Sequence, residues 1–254
     1  MSYKNVLVND PICVIMYSMG TFINVVAIFL GGIFGLLFGK RISDSAKDSI
    51  LKVNGVAVII LAIGGVMSKY LSIGEDGSIS TVGTMMMILS LAIGTLIGEL
   101  IGIDKAITRF GEWLKIKTKN EGDGAFVNAF VLASCTVCIG AMAVVGSIED
   151  GITGDYSILL AKSILDLIII LIMTASLGKG CMFSAIPVGL FQGSITLLAI
   201  FLGSFVPAAS LDNLSLVGNI LIFCVGLNLV WDLKIKVANM LPSLVIAMLW
   251  ILLP

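Results

Sequence analysis

Apolar runs of about twenty residues with few or no charges recur along the whole chain, and they leave few folds open to it. A helix rises about 1.5 Å per residue, so about 20 apolar residues cross the ~30 Å hydrocarbon core of a bilayer. Eight such segments are expected, at 20–39, 52–70, 82–103, 125–147, 156–177, 182–206, 214–231 and a short last one at 240–253. The composition agrees. Hydrophobic residues make up 58% and charged residues 12%, where a soluble chain carries roughly 25% charged residues. Mean hydropathy is +1.12. The expected fold class is all-α, a polytopic membrane helix bundle of about eight transmembrane helices.

Orientation follows from the basic residues. Lys40, Arg41, Lys47 and Lys52 fall between the first two segments, Lys105, Arg109, Lys115, Lys117 and Lys119 between the third and fourth, Lys179 after the fifth, and Lys234 and Lys236 after the seventh. All these connections lie on one side of an eight-span bundle. The opposite loops hold Lys69 but mostly acids: Glu75, Asp76, Glu149, Asp150, Asp155 and Asp212. Both termini are therefore expected outside. The stretches "IDKAITRFGEWLKIK" and "RISDSAKDSIL" read as surface helices lying against anionic lipid, or as solvated connectors.

Some chemistries are excluded. The chain has no histidine, which removes Ser-His-Asp catalysis, histidine zinc sites and histidine proton relays. It has no glycine-rich loop ending in Lys and Ser or Thr, hence no ATP motor of its own. Cys135 and Cys138 form C-x-x-C inside an apolar run without partner ligands, a poor setting for metal or redox chemistry. Net charge is −1 and gives no reason to expect nucleic acid. No cofactor, no metal and no enzymatic activity are expected.

The stretch "LLAKSILDLIII" sets Lys162 and Asp166 four residues apart in the fifth segment. That spacing puts both on one helix face. Asp166 lies about 15 Å into the span, near the midplane. A lone charge there costs about 2.5–3.5 kcal/mol, so such groups pair or line a wet cavity. Two readings stay open: an ion- or solute-binding pair on a transport path, or a structural ion pair that fixes packing. Candidate companions at similar depth are Ser134, Thr136 and Cys138 of the fourth segment and Gln192 of the sixth, where Pro187, Gly189 and Gly193 leave open a broken helix or a simple kink packed by neighbours. Proton coupling would use Asp166 or Glu99.

Glycines at Gly31, Gly35 and Gly39 match Gly94, Gly98 and Gly102 in spacing. Each set is a small-xxx-small stripe that lets helix backbones approach, and it leaves room for a homo-oligomer. "AIFLG" at 27–31 recurs at 199–203, and "SLAIGTLI" from Ser90 resembles "SLVIAMLW" from Ser243. Segments one to three then map onto six to eight, with opposite orientation, as inverted repeats.

The blocks "MGTFINVVAIFLGGIFG", "GTLIGELIGI", "CIGAMAVVGSIEDGITGD", "LLAKSILD" and "NMLPSLVIA" resemble the YqgA/YdfK-type family of bacterial integral membrane proteins, from Met19 to the C-terminus. Cys138, Gly140, Met142, Gly146, Gly151, Lys162, Asp166 and Pro242 fall on its pattern. The resemblance implies a bacterial cytoplasmic membrane and a single membrane domain over 19–254, with 1–18 an extension or a misassigned start. It implies no function, because the family is uncharacterised. The residues themselves favour a small secondary transporter or channel for a small ion or polar solute. The alternative is a membrane interaction protein that moves nothing.

Overall fold

The structure is a computed structural model, and it describes residues 19–38, 43–74, 76–106, 109, 124–138, 141–202 and 206–252. Helices account for nearly all of it: α1 (Met19–Phe38), α2 (Asp44–Tyr70), α3 (Thr84–Ile101), α4 (Gly124–Cys138), α5 (Ala141–Thr153), α6 (Ser157–Leu177), α7 (Ala185–Leu202), α8 (Ala208–Trp231) and α9 (Pro242–Leu249). Six helical stretches among the described residues are long and apolar enough to cross a membrane. Their outward side chains are large and apolar, among them Phe22, Leu37, Leu100 and Leu190. Such a surface is untenable in water over this extent and suits lipid. The chain folds as an all-α polytopic membrane bundle.

The expected segments differ from the observed ones in four places. The fourth, 125–147, is described as two helices, α4 and α5, and α5 continues past it to Thr153. The last is short as expected but is not one α-helix: a 3-10 turn at Val237–Met240, then α9, then a 3-10 turn at Trp250–Leu252. α2 starts at Asp44, so most of the stretch read as a second surface helix is instead its first turns, and the Ser43 hydroxyl accepts the Ala46 N–H there. The sixth segment is not broken at its proline. A 3-10 turn at Lys179–Ser184 precedes α7, and Pro187 sits in the first turn of that helix, where a missing N–H costs no helical bond. Most of "IDKAITRFGEWLKIK", with Gly39 and Gly140, lies outside the described residues.

A feature not anticipated is a small antiparallel hairpin after α2. Its strands β1 (Leu71–Ile73) and β2 (Ile79–Thr81) pair with Ser72 opposite Ser80. Asp76 organises the turn by accepting the Ser78 N–H at 3.0 Å and its hydroxyl at 2.6 Å.

The chain divides into two compact units. The first comprises Met1–Leu51 with Ala106–Ser204, and the second Lys52–Lys105 with Phe205–Pro254. In the first unit α1 and α6 run parallel in close contact. Gly20 meets Leu159, Gly31 meets the Leu167 carbonyl, and Gly35 meets the Leu171 carbonyl. A methyl group at Gly35 would stand 2.5 Å from that oxygen. The small residues thus let two backbones touch, which is how helices associate where lipid offers no hydrophobic gain. One end of this unit is filled by an apolar cluster that includes Ile28, Val137, Ile170 and Val188.

In the second unit Gly94 and Gly98 of α3 lie against the main chain of Ser243 and Asn239. Gly102 does something else. It takes φ 71 as the left-handed C-cap of α3, with its N–H on the Gly98 carbonyl, and does not extend the packing stripe. The return from α8 places Asp232 and Lys234 at φ 50 and φ 56, unusual for residues with a Cβ. The Asn228 side chain holds that turn, bonding the Ile235 carbonyl and N–H at 2.8 and 2.9 Å.

Candidate functional site

Asp166 lies at the middle of the 21-residue helix α6, and Lys162 lies one turn before it on the same face. Both are enclosed, at 3% and 5% exposure. Lys162 Nζ donates to Asp166 Oδ2 at 2.5 Å and to the Val137 carbonyl at 2.8 Å. The carbonyl comes from the last turn of α4 as described. Each charge therefore has its opposite or a strong dipole in contact, which is what makes a buried pair tolerable.

Two further helices complete the cluster. Asn24 of α1 donates from Nδ2 to Asp166 Oδ2 at 3.0 Å and to Gln192 Oε1 of α7 at 3.2 Å. The close α1–α6 packing is what brings Asn24 within reach. Asn24 and Gln192 are both fully buried, and the bonds they make leave Asn24 Oδ1 and Gln192 Nε2 without a partner. A buried amide oxygen and amide nitrogen left unpaired cost about 1–3 kcal/mol each. Together they offer one acceptor and one donor beside an ion pair, an arrangement suited to a small polar guest.

The surroundings are lopsided along the helix axes. One turn toward the Thr174 end of α6, Asn24 is followed by Ile28, Asp166 by Ile170 and Gln192 by Val188, all 0% exposed. These side chains form an apolar plug with Val137. Toward the Tyr156 end the same faces carry Thr21 and Thr196, joined by Ser147 and Asp150 of α5. All four are buried and their side-chain oxygens are unpartnered. The polar core is thus lined on one side and plugged on the other.

Of the residues singled out in the sequence, Lys162, Asp166 and Gln192 meet here. Ser134 and Thr136 do not: their hydroxyls bond back to the Phe130 and Leu132 carbonyls of their own helix at 2.7 and 2.8 Å. The side chain of Cys138 lies outside the described residues. What α4 supplies is a main-chain oxygen, which no residue type advertises. Glu99 belongs to the second unit, where it is exposed and 3.2 Å from Lys236. Asn24 reads in the sequence only as an interhelical hydrogen-bonding residue. Asp150 reads as a loop acid because it follows the apolar run, yet it is fully buried.

The second unit has a cavity of about 290 Å³ lined by Ser68, Lys69, Gly83, Asp212 and Asn213 among others. Its ion pair, Lys69–Asp212 at 2.7 Å, is well exposed and screened by water. No group of three or more potential metal ligands occurs among the described residues.

The family model described as "Protein of unknown function (DUF554)" matches residues 19–252. The chain is 31% identical over 233 residues to the Uncharacterized membrane protein YdfK of Bacillus subtilis (strain 168), covering 89% of this chain and 93% of that one. It is 28% identical over 234 residues to the Uncharacterized protein YqgA of Escherichia coli (strain K12), covering 91% and 94% respectively. No solved structure matches. A chain with this match over nearly its whole length belongs to the DUF554 family of proteins of unknown function.

Proposed function

We propose that the protein is a small secondary transporter or channel whose path enters the polar core of the first unit. The observation that carries this reading is the pair of unpartnered buried amide atoms, Asn24 Oδ1 and Gln192 Nε2, beside the Lys162–Asp166 pair. A membrane protein tolerates such groups at midplane depth where an ion, proton or polar solute occupies them in turn. The lopsided surroundings fit alternating access, with a polar approach from the Tyr156 end and the Ile28–Ile170–Val188 plug as the gate to be opened.

The remaining parts of the reading rest on sequence. The basic connections put the Tyr156 end, and both termini, outside the bacterial cytoplasmic membrane. Lys105, Arg109, Lys234 and Lys236 then meet anionic lipid on the inner face. The inverted repeat belongs to the proposal too. The first and sixth segments fall in one compact unit, and the second, third, seventh and eighth in the other, as interleaved repeats would distribute them. No covalent chemistry is part of this function.

The test is electrogenic transport by protein reconstituted in liposomes, screened across monovalent ions and small polar solutes. Asp166→Asn serves as the inactive control. A current present in the wild type and absent in Asp166→Asn supports the reading. Identical traces for every solute count against it.

One observation favours a second reading, a membrane interaction protein that moves nothing: the ion pair is closed to solvent and both its charges are satisfied. In that case a variant lacking both charges keeps its full cellular role.

A further inference from the structure

Asp150 stands in the last turn of α5, three residues beyond the apolar run in which the fourth span was expected. It is 0% exposed, and neither carboxylate oxygen has a hydrogen-bond partner. The Gly20 and Thr21 amides, at the start of α1, face it and favour its charged form, although neither completes a bond. A buried carboxylate with so few partners carries a desolvation cost that protonation relieves.

Three hydroxyls surround it. Ser147 is one turn back on the same face of α5. Thr21 is the residue whose amide faces the carboxyl. Thr196 comes from α7, where its carbonyl lies against Gly151, the next residue along α5. All three are at most 6% exposed and unpartnered. Thr21 is one turn from Asn24, and Thr196 one turn from Gln192, so both residues lie between this acid and the polar core on their own helices. Each can accept one proton while donating its own.

We propose that Asp150, with Thr21, Ser147 and Thr196 around it, is a proton-binding site that loads the polar core from the Tyr156 end. The ligand is the proton, held as a neutral carboxylic acid, the form that burial favours. Passing it on moves one proton along Thr21 or Thr196 toward Asp166 and restores the Asp150 carboxylate, and Lys162 keeps its charge throughout. This rests on the transport reading for its purpose, but not for its existence.

The charged neighbours are few. Burial is the main influence and lifts the Asp150 carboxyl to about 6, the two amides oppose it, and Asp155 adds a small push in the same direction as burial. Glu149 is on the same helix and Tyr156 begins the next, while Lys162 and Asp166 lie deeper on α6. Neither α1 nor α7 carries a titratable side chain.

The experiment is infrared difference spectroscopy of the full chain in lipid as the buffer is taken through pH about 6. The expected result is a protonated-carboxyl band that titrates in that range, vanishes in Asp150→Asn, and persists in Asp155→Asn and Glu149→Gln. Asp150→Glu, which keeps an acid in place, retains a band and guards against misfolding in the asparagine variant. Thr21→Val combined with Thr196→Val makes the surroundings of the carboxyl less polar, and the titration moves to higher pH. A band unchanged in Asp150→Asn, or a titration at the ordinary aspartate value of about 4, overturns the proposal. A band lost in Asp150→Asn, in a protein whose position 166 stays closed to water, supports the proton site while contradicting transport. Water at 166 with an unchanged band overturns the site and leaves the path intact.

Discussion

Asn24 Nδ2 stands 3.0 Å from Asp166 Oδ2, across 142 positions of sequence, and the same nitrogen reaches Gln192. One amide thus ties α1, α6 and α7 together at the level of the ion pair. Its other atom, Oδ1, is left without a partner. The arrangement holds three helices in register and leaves hydrogen-bonding capacity unused, a combination expected of a site and not of a simple fastener.

Removing one charge and removing both have different consequences. Lys162→Ala leaves Asp166 buried without its cation and costs about 3–5 kcal/mol. Lys162→Ala with Asp166→Ala removes both charges and costs far less than twice that. Thermal unfolding in detergent measures the difference. The double variant is expected to be folded and inactive, and full activity in it argues for the interaction reading.

The α1–α6 contact predicts a sharp contrast between glycines. Gly35→Ala drives a methyl into the Leu171 carbonyl and the Thr174 side chain, so it destabilises by about 1–3 kcal/mol. Gly64→Ala, in α2, meets nothing within 4 Å and changes stability little. Melting temperatures of the two variants check this, and equal losses would show that close backbone approach is not what the α1 glycines provide.

The apolar plug predicts a leak. Ile170→Ala together with Val188→Ala deletes two fully buried side chains directly below Asp166 and Gln192. Liposomes carrying this variant should pass small ions several-fold faster than the wild type, with Asp166→Asn in the same background reducing the leak. A variant as tight as the wild type places the barrier elsewhere.

Sequence reading reached the membrane fold because lipid imposes it: long uncharged runs have one stable outcome, and the lengths follow from bilayer thickness. Lys162, Asp166 and Gln192 were visible for the same reason, since polar groups in apolar runs stand out. The misplacements share a cause as well. Ser134 and Thr136 have the right composition, but a hydroxyl on a helix can satisfy itself on the carbonyl four residues back, and both do. Asp150 reads as a loop acid because hydropathy falls there, while α5 carries on to Thr153 and folds it inward. Val137 contributes a backbone carbonyl, which has no side-chain signature. The grouping of helices into two units depends on contacts between distant segments, and apolar sequences of few letters do not encode those legibly.

Water access to Asp166 tests the central claim most directly. Asp166→Cys, in a full-length chain with the five native cysteines replaced and Lys162 intact, is treated in liposomes with a small, charged, membrane-impermeant thiol reagent. The account predicts labelling, slowed by Thr196→Phe at the polar approach and hastened by Ile170→Ala at the plug. A folded variant that stays unlabelled from both sides of the membrane would contradict a transport path through this core.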